Sequence, residues 1–184
     1  LKRPSYFISH QFPKMTDKLF FNSRSADAYP GAGVNEIVVD TEAYKELSKT
    51  RHWRRILSNF HVCEFKWRGY TYRTIEHAFQ AAKIGLVSEA DAYRFTVESG
   101  TELGRGDGLD ARKARKVVDL GARIKEWDAI SRQVMEEIAQ AKYAVCEEAR
   151  TVLRATGKAE LWHLVMRSKI HERFVHLERI RSEL

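Results

Sequence analysis

Apolar and polar positions alternate at helical spacing most clearly in RTIEHAFQAAKIG, residues 73–85. Ile75, Ala78, Phe79 and Ala82 share one face, and Glu76, Gln80 and Lys83 form a polar stripe at i, i+4 and i+7. Thr74 is placed to cap the helix start, and Glu76 in the first turn complements the helix dipole. Immediately upstream, HVCEFKWRGYTYRT predicts a hairpin. Val62, Phe65, Trp67, Tyr70 and Tyr72 favour strands, and Arg68-Gly69 supplies the turn. Ile130, Val134, Ile138, Ala141 and Val145 mark a long amphipathic helix with Asp128 as its cap. EEARTVLRATGKAEL reads as a further helix that stops at Gly157, with another element near Leu161.

Elsewhere the pattern is weaker. LFFNSRSADAYPGAGVNEIVVD suggests short extended segments turning at Tyr29-Pro30-Gly31 and returning through Ile37-Val38-Val39. YKELSKTRHWRRIL has helical propensity, and GRGDGLD, residues 104–110, reads as a glycine-broken loop. Residues 1–18 have no periodicity and are expected to form a flexible N-terminal tail. Residues 19–184 are expected to form one domain, mainly α (α+β), with compact helices and a small β unit.

Composition sharpens this picture in three ways. With 184 residues, 43% of them hydrophobic, the chain can build one core but not two comfortable ones. The net charge of +7 suggests an anionic or phosphorylated partner, because Lys and Arg recover Coulomb energy against phosphates. No apolar run approaches the ~20 residues of a membrane span, and none reads as a signal peptide. The chain opens on Leu1, as a fragment would, and Met15 in MTDKLFF is an alternative start. Cys63 and Cys146 are far apart and lack metal-ligand spacing; free buried thiols, and with them a reducing, intracellular, cytoplasmic setting, are expected.

Chemistry narrows by elimination first. The chain has no phosphate-binding G-x-x-x-x-G-K-[ST], GRGDG lacks the rest of a dinucleotide fingerprint, and no His pair has H-E-x-x-H spacing. Neither a cofactor nor a metal is expected. On periodicity alone the stripe of Glu76, Gln80 and Lys83 is a solvated helix face. Its neighbours offer another reading: Asn59 lies in LSNF just before the hairpin, and Trp127 in KEWDAI precedes the long helix. A carboxylate, two amides, an amine and an indole would together suit a planar base and a ribose. The densest basic cluster, Arg112, Lys113, Arg115 and Lys116, could meet phosphates.

LSNF followed by FKWRGYTYRTIEHAFQAAK resembles the NADAR family of YbiA-like N-glycosidases, whose members carry S-N-F, a short strand pair and a T-x-E-H-x-F-Q-A-x-K helix. EWDAISRQVMEEIAQAKYAV and LRATGKAEL are similar to two further family blocks, so the resemblance covers most of Leu57 to Leu161. It implies hydrolysis of an N-glycosidic bond in an ADP-ribosyl or phosphoribosyl adduct, foremost ADP-ribose on guanine, carried by a nucleotide, DNA or RNA. By matching position, Glu76, Lys83 and Trp127 take the catalytic places. Ser23, Asn59, Phe60, His77, Gln80 and Arg115 stand as substrate-binding candidates, with His77 read first as structural. Glu76 would stabilise charge at the anomeric carbon or take a proton from water, or Lys83 would attack the opened sugar. Trp127 would wall the leaving base. No membrane and no obligate protein partner is implied.

One departure stands out. After T-G-x-A-x-L many bacterial members continue with W-G-D-G, whereas this chain reads LWHLVMRSKIHERFVHLERIRSEL and offers only His176 or Glu178 in that order. A catalytically impaired ADP-ribose or nucleotide reader is therefore an alternative, and a basic nucleic-acid-binding domain is another.

Overall fold

The structure, a computed structural model, describes residues 16–165 and 168–184. Most of the expected N-terminal tail lies outside the described residues, but Lys18 already belongs to β1 (Lys18–Phe21). The expected return strand reduces to a single bridge between Lys18 and Ile37. The intervening PGAGVNE loop is organised instead by Glu36, whose carboxylate accepts from Gly31 N and Gly33 N at 2.8 and 3.0 Å. Arg54 answers it from the interior, with Nε to Oε1 at 2.8 Å and Nη2 to Oε2 at 2.7 Å.

The helical stretch around residue 50 is two short pieces, α1 (Lys45–Ser48) and α2 (Trp53–Ile56). His52 breaks it by adopting a left-handed backbone, φ 57°, while its N–H donates to Asp27. The hairpin forms as expected from β2 (Phe65–Trp67) and β3 (Tyr70–Tyr72), paired Phe65 with Tyr72. Arg68 and Gly69 both have positive φ, which a two-residue turn matched to strand twist demands.

The quoted stripe lies on α3 (Ile75–Gly85), where Thr74 Oγ1 accepts from His77 N. α4 (Glu89–Tyr93), α5 (Glu102–Arg105) and α6 (Gly108–Lys113) follow. The expected GRGDGLD loop is thus mostly the end of α5 and the start of α6. Asp107 caps α6, and Asp110 returns a carboxylate to the Asp107 N–H, a reciprocal box that the glycines concealed. α7 (Ile124–Val145) begins four residues before Asp128, so that residue lies within the helix and does not cap it. α8 (Glu147–Ala155) ends where Gly157 takes φ 56°.

β4 (Glu160–His163) runs parallel to β1, with Phe21 opposite His163, and antiparallel to β5 (Glu172–Arg173), with His163 opposite Glu172. α9 (Val175–Glu183) closes the chain. A parallel pair needs a crossover, and here it contains nearly the whole helical body. The core lies where α3, α7, α8 and this sheet meet: Ile75, Ile84, Ile138, Tyr143, Leu153 and Leu161 are all buried.

The free-thiol expectation is corrected. Cys63 and Cys146 form a disulfide, with Cα atoms 6.2 Å apart across 83 residues of sequence. The end of α7 brings Cys146 against the segment leading into β2, a tertiary approach that linear spacing does not encode. The ground for expecting a reducing compartment falls with it. No helix among the described residues is long and apolar enough to cross a membrane.

Candidate active site

The polar stripe of α3 is not its wet side. Glu76, His77 and Gln80 are buried, whereas Phe79 and Ala82 are only partly so. Glu76 is held from two directions. Its N–H donates to Asn59 O at 3.0 Å, fixing the start of α3 to the loop after α2. Gln80 Nε2 donates to Glu76 Oε1 at 2.9 Å, and Oε2 makes no hydrogen bond among the described residues. Burial raises the Glu76 carboxyl above its ordinary range; the Gln80 hydrogen bond and the charges of Arg112, Arg115 and Lys83 act against that rise without cancelling it.

Glu76 opens onto a cleft of about 830 Å³ together with Asn59, Phe79 and residues of α7 that include Arg132, Met135 and Glu136. Asn59 Nδ2 lies 3.7 Å from Met135 Sδ. The facing wall comes from the C-terminal segment: His163, Glu172, Phe174 and His176. Lys83, two turns along α3 from Glu76, lines a neighbouring pocket of about 380 Å³ with Arg115, Lys116 and Asp119. Its ammonium makes no hydrogen bond or ion pair among the described residues. The two openings flank one helix, with the carboxyl in one and the amine in the other.

The remaining sequence candidates divide. Trp127, 6% exposed, packs edge-on against Phe79 at 4.8 Å between ring centroids, so it stands behind the cleft wall. Phe60 sits where a Cβ on Gly108 would come within 2.6 Å of it, a close approach that requires glycine at the start of α6. His77 uses both ring nitrogens on protein, Nδ1 with Thr74 Oγ1 at 2.8 Å and Nε2 with Leu103 O at 2.9 Å, and is fully buried. Gln80 acts on Glu76 from within the helix. Ser23 is half-buried in the turn after β1, apart from the residues that line either opening.

Of the two C-terminal alternatives, His176 lies on the cleft wall. Glu178 instead accepts from Leu161 N at 2.9 Å and is clamped by Arg173 at 2.9 and 2.8 Å. His163 was not legible as a site residue, although it follows LRATGKAEL by two positions in LWHL. Its ring stacks on Phe174, centroids 5.1 Å apart with planes at 22°. Phe174 in turn lies 4.7 Å from His176, so three rings form one aromatic wall.

The domain pattern described as "NADAR domain" matches residues 44–171. Among curated proteins, none matches the chain. The NMR structure of the E. coli protein YbiA superposes with a TM-score of 0.51 and 20% identity, covering 92% of this chain and 86% of that one. At that identity the likeness concerns the α+β fold, which the two share. The NADAR pattern spans more than half of the residues, and the chain belongs to the NADAR domain family.

Proposed function

We propose that this protein is an N-glycosidase that hydrolyses the bond between a base and the ribose of an ADP-ribosyl or phosphoribosyl adduct, with ADP-ribose on guanine as the foremost substrate. One observation carries the reading. Glu76 is a buried carboxyl at the head of α3, with one oxygen held by Gln80 and the other unbonded, on the wall of a cleft large enough for a nucleoside.

Cleaving such a bond develops positive charge at the anomeric carbon and negative charge on the leaving nitrogen. A carboxyl whose burial favours the protonated form suits proton donation to that nitrogen, after which the carboxylate faces the positive sugar. Gln80 fixes the orientation of the group and leaves Oε2 for the substrate. Lys83 and Arg115, in the adjoining pocket, suit the phosphates of the same ligand. Trp127 supports this arrangement through Phe79 and not by touching the base. The net charge of +7 is consistent with an adduct carried on nucleic acid.

The test is mass-spectrometric detection of released base and sugar from ADP-ribosylated guanine in DNA, ADP-ribosylated guanosine and a phosphoribosyl-pyrimidine. Wild type should release base from at least one, and Glu76→Gln should lose release by about 10²-fold or more while still binding. Unchanged turnover in Glu76→Gln would remove the carboxyl from the mechanism. The replaced W-G-D-G segment favours a second reading, a binding module without turnover. Tight ligand binding with no product on long incubation would support it.

A further inference from the structure

We infer that His163 is the second catalytic group of this site, the base that takes a proton from the attacking water while Glu76 protonates the leaving nitrogen. The inference rests on the glycosidase reading above and assigns the role left open by the missing W-G-D-G aspartate.

The backbone of His163 is fixed on both sides, opposite Phe21 in β1 and Glu172 in β5. Its ring is fixed as well, stacked on Phe174 and inclined at 59° to Phe21, 6.2 Å away. Yet neither ring nitrogen is hydrogen-bonded among the described residues, and neither is sealed from the surroundings. A structural histidine looks like His77, with both nitrogens satisfied by protein. His163 is instead a rigid, half-buried imidazole on the wall of the cleft that holds Glu76, with its polar atoms unused.

Arg112 links the two groups, since its guanidinium acts electrostatically on both Glu76 and His163. His176 is the weaker choice: its Nε2 is sealed in the protein without a partner, and the Glu136–Arg179 ion pair lies beside it. The charged and titratable groups around His163 are Glu76 on α3, Arg112 on α6, Arg132 and Glu136 on α7, His171, Glu172 and Arg173 beside β4, and His176 and Arg179 on α9. Burial first, then Arg112 and His171, hold the imidazole below its ordinary range, so it is neutral at neutral pH and able to accept a proton. Burial pushes the Glu76 carboxyl the opposite way, toward the acid that can give one.

The step balances. The water oxygen bonds to the anomeric carbon as the carbon–nitrogen bond breaks, its electron pair leaving with the base. One water proton passes to His163, and the Glu76 proton goes to the departing nitrogen. Solvent then returns a proton from imidazolium to carboxylate.

The experiment measures kcat and KM against pH, on the adduct that wild type cleaves, for wild type, His163→Gln, His163→Ala and His163→Asp. His163→Gln should lose about 10²- to 10⁴-fold in kcat with little change in KM, together with the acidic limb of the wild-type profile. Added imidazole should restore part of the His163→Ala rate in proportion to its neutral form, and His163→Asp should recover more than His163→Gln. A His163→Gln enzyme as fast as wild type overturns the inference and leaves the glycosidase reading intact. So does a folded His163→Ala enzyme whose lost rate imidazole leaves untouched. No release by wild type overturns both.

Discussion

At the scale of single residues, the candidate site holds groups whose pKa burial has shifted, Glu76 upward and His163 downward. Glu76 has a folded-state pKa raised above 4.5, chiefly by desolvation. In the pH range above 4.5 the folded chain therefore holds a proton that the unfolded chain has released, and stability falls as pH rises through that range. Glu76→Gln removes this cost. The variant should melt above wild type at neutral pH, and the gap should close as both are taken to about pH 4. A thermal melt series reads it directly, and a variant that is less stable at every pH would mean that the carboxylate stabilises the fold.

Lys142 shows the same effect with the opposite charge. Fully buried, it donates Nζ to His61 O at 3.1 Å, and desolvation lowers its pKa from 10.5 to about 7. Between those values the unfolded chain holds the extra proton, so stability rises with pH from about 7 toward 10.5. Lys142→Met should flatten that rise. Its melting temperature relative to wild type should be greatest near neutrality and decline in alkaline buffer. A difference that stays constant with pH would show that Lys142 titrates alike in the folded and unfolded chains and so stays charged in the fold at neutral pH.

At the scale of elements, local sequence did well where a short-range signal carried the structure. Thr74 capping α3 and Arg68-Gly69 turning the hairpin need only neighbouring residues. The misses have local causes too, but ones that look alike in sequence. Asp107 and Asp110 build a reciprocal cap inside a stretch whose glycines suggested a loop, and His52 interrupts a run of helix formers. The PGAGVNE loop has no such local logic. It is set by the Arg54–Glu36 pair, whose side chains are 3% and 0% exposed, with Arg54 also donating to Ala28 O and Tyr29 O. Removing one partner leaves a buried charge uncompensated, so Arg54→Met should cost about 3–5 kcal/mol. Urea unfolding should show the midpoint shift; a loss under about 1 kcal/mol would mean that water reaches Glu36 in the variant.

At the scale of the whole molecule, the pairing of β1 with β4 closes the fold, and the cross-link closes it again. The Cys63–Cys146 bond joins the segment before β2 to the junction of α7 and α8. Closing a loop of this length should contribute about 4–5 kcal/mol in the chain-entropy account. Reductant should therefore lower the melting temperature of wild type and leave a Cys63→Ser/Cys146→Ser variant unchanged. Thiol titration of unfolded, unreduced protein should find no free cysteine. Finding two would return both residues to the free state first expected of them.

The sequence by itself determined the pieces whose physics is local: the cap and apolar face of α3, the hairpin, the long helix, and the blocks through which the NADAR likeness was visible. It also marked Glu76, Asn59, Gln80 and Lys83 as candidates, because helical periodicity and a shared motif require only short stretches of chain. Tertiary structure alone decided what each of them faces. It turned the supposed wet stripe inward, put Trp127 behind Phe79, and sent Lys83 to a pocket beside the one that holds Glu76. It also brought His163, Phe174 and His176 across from α3, and Cys146 to Cys63. Periodicity says which residues share a face. What meets that face depends on contacts between segments far apart in the chain, and those are fixed only when the core packs.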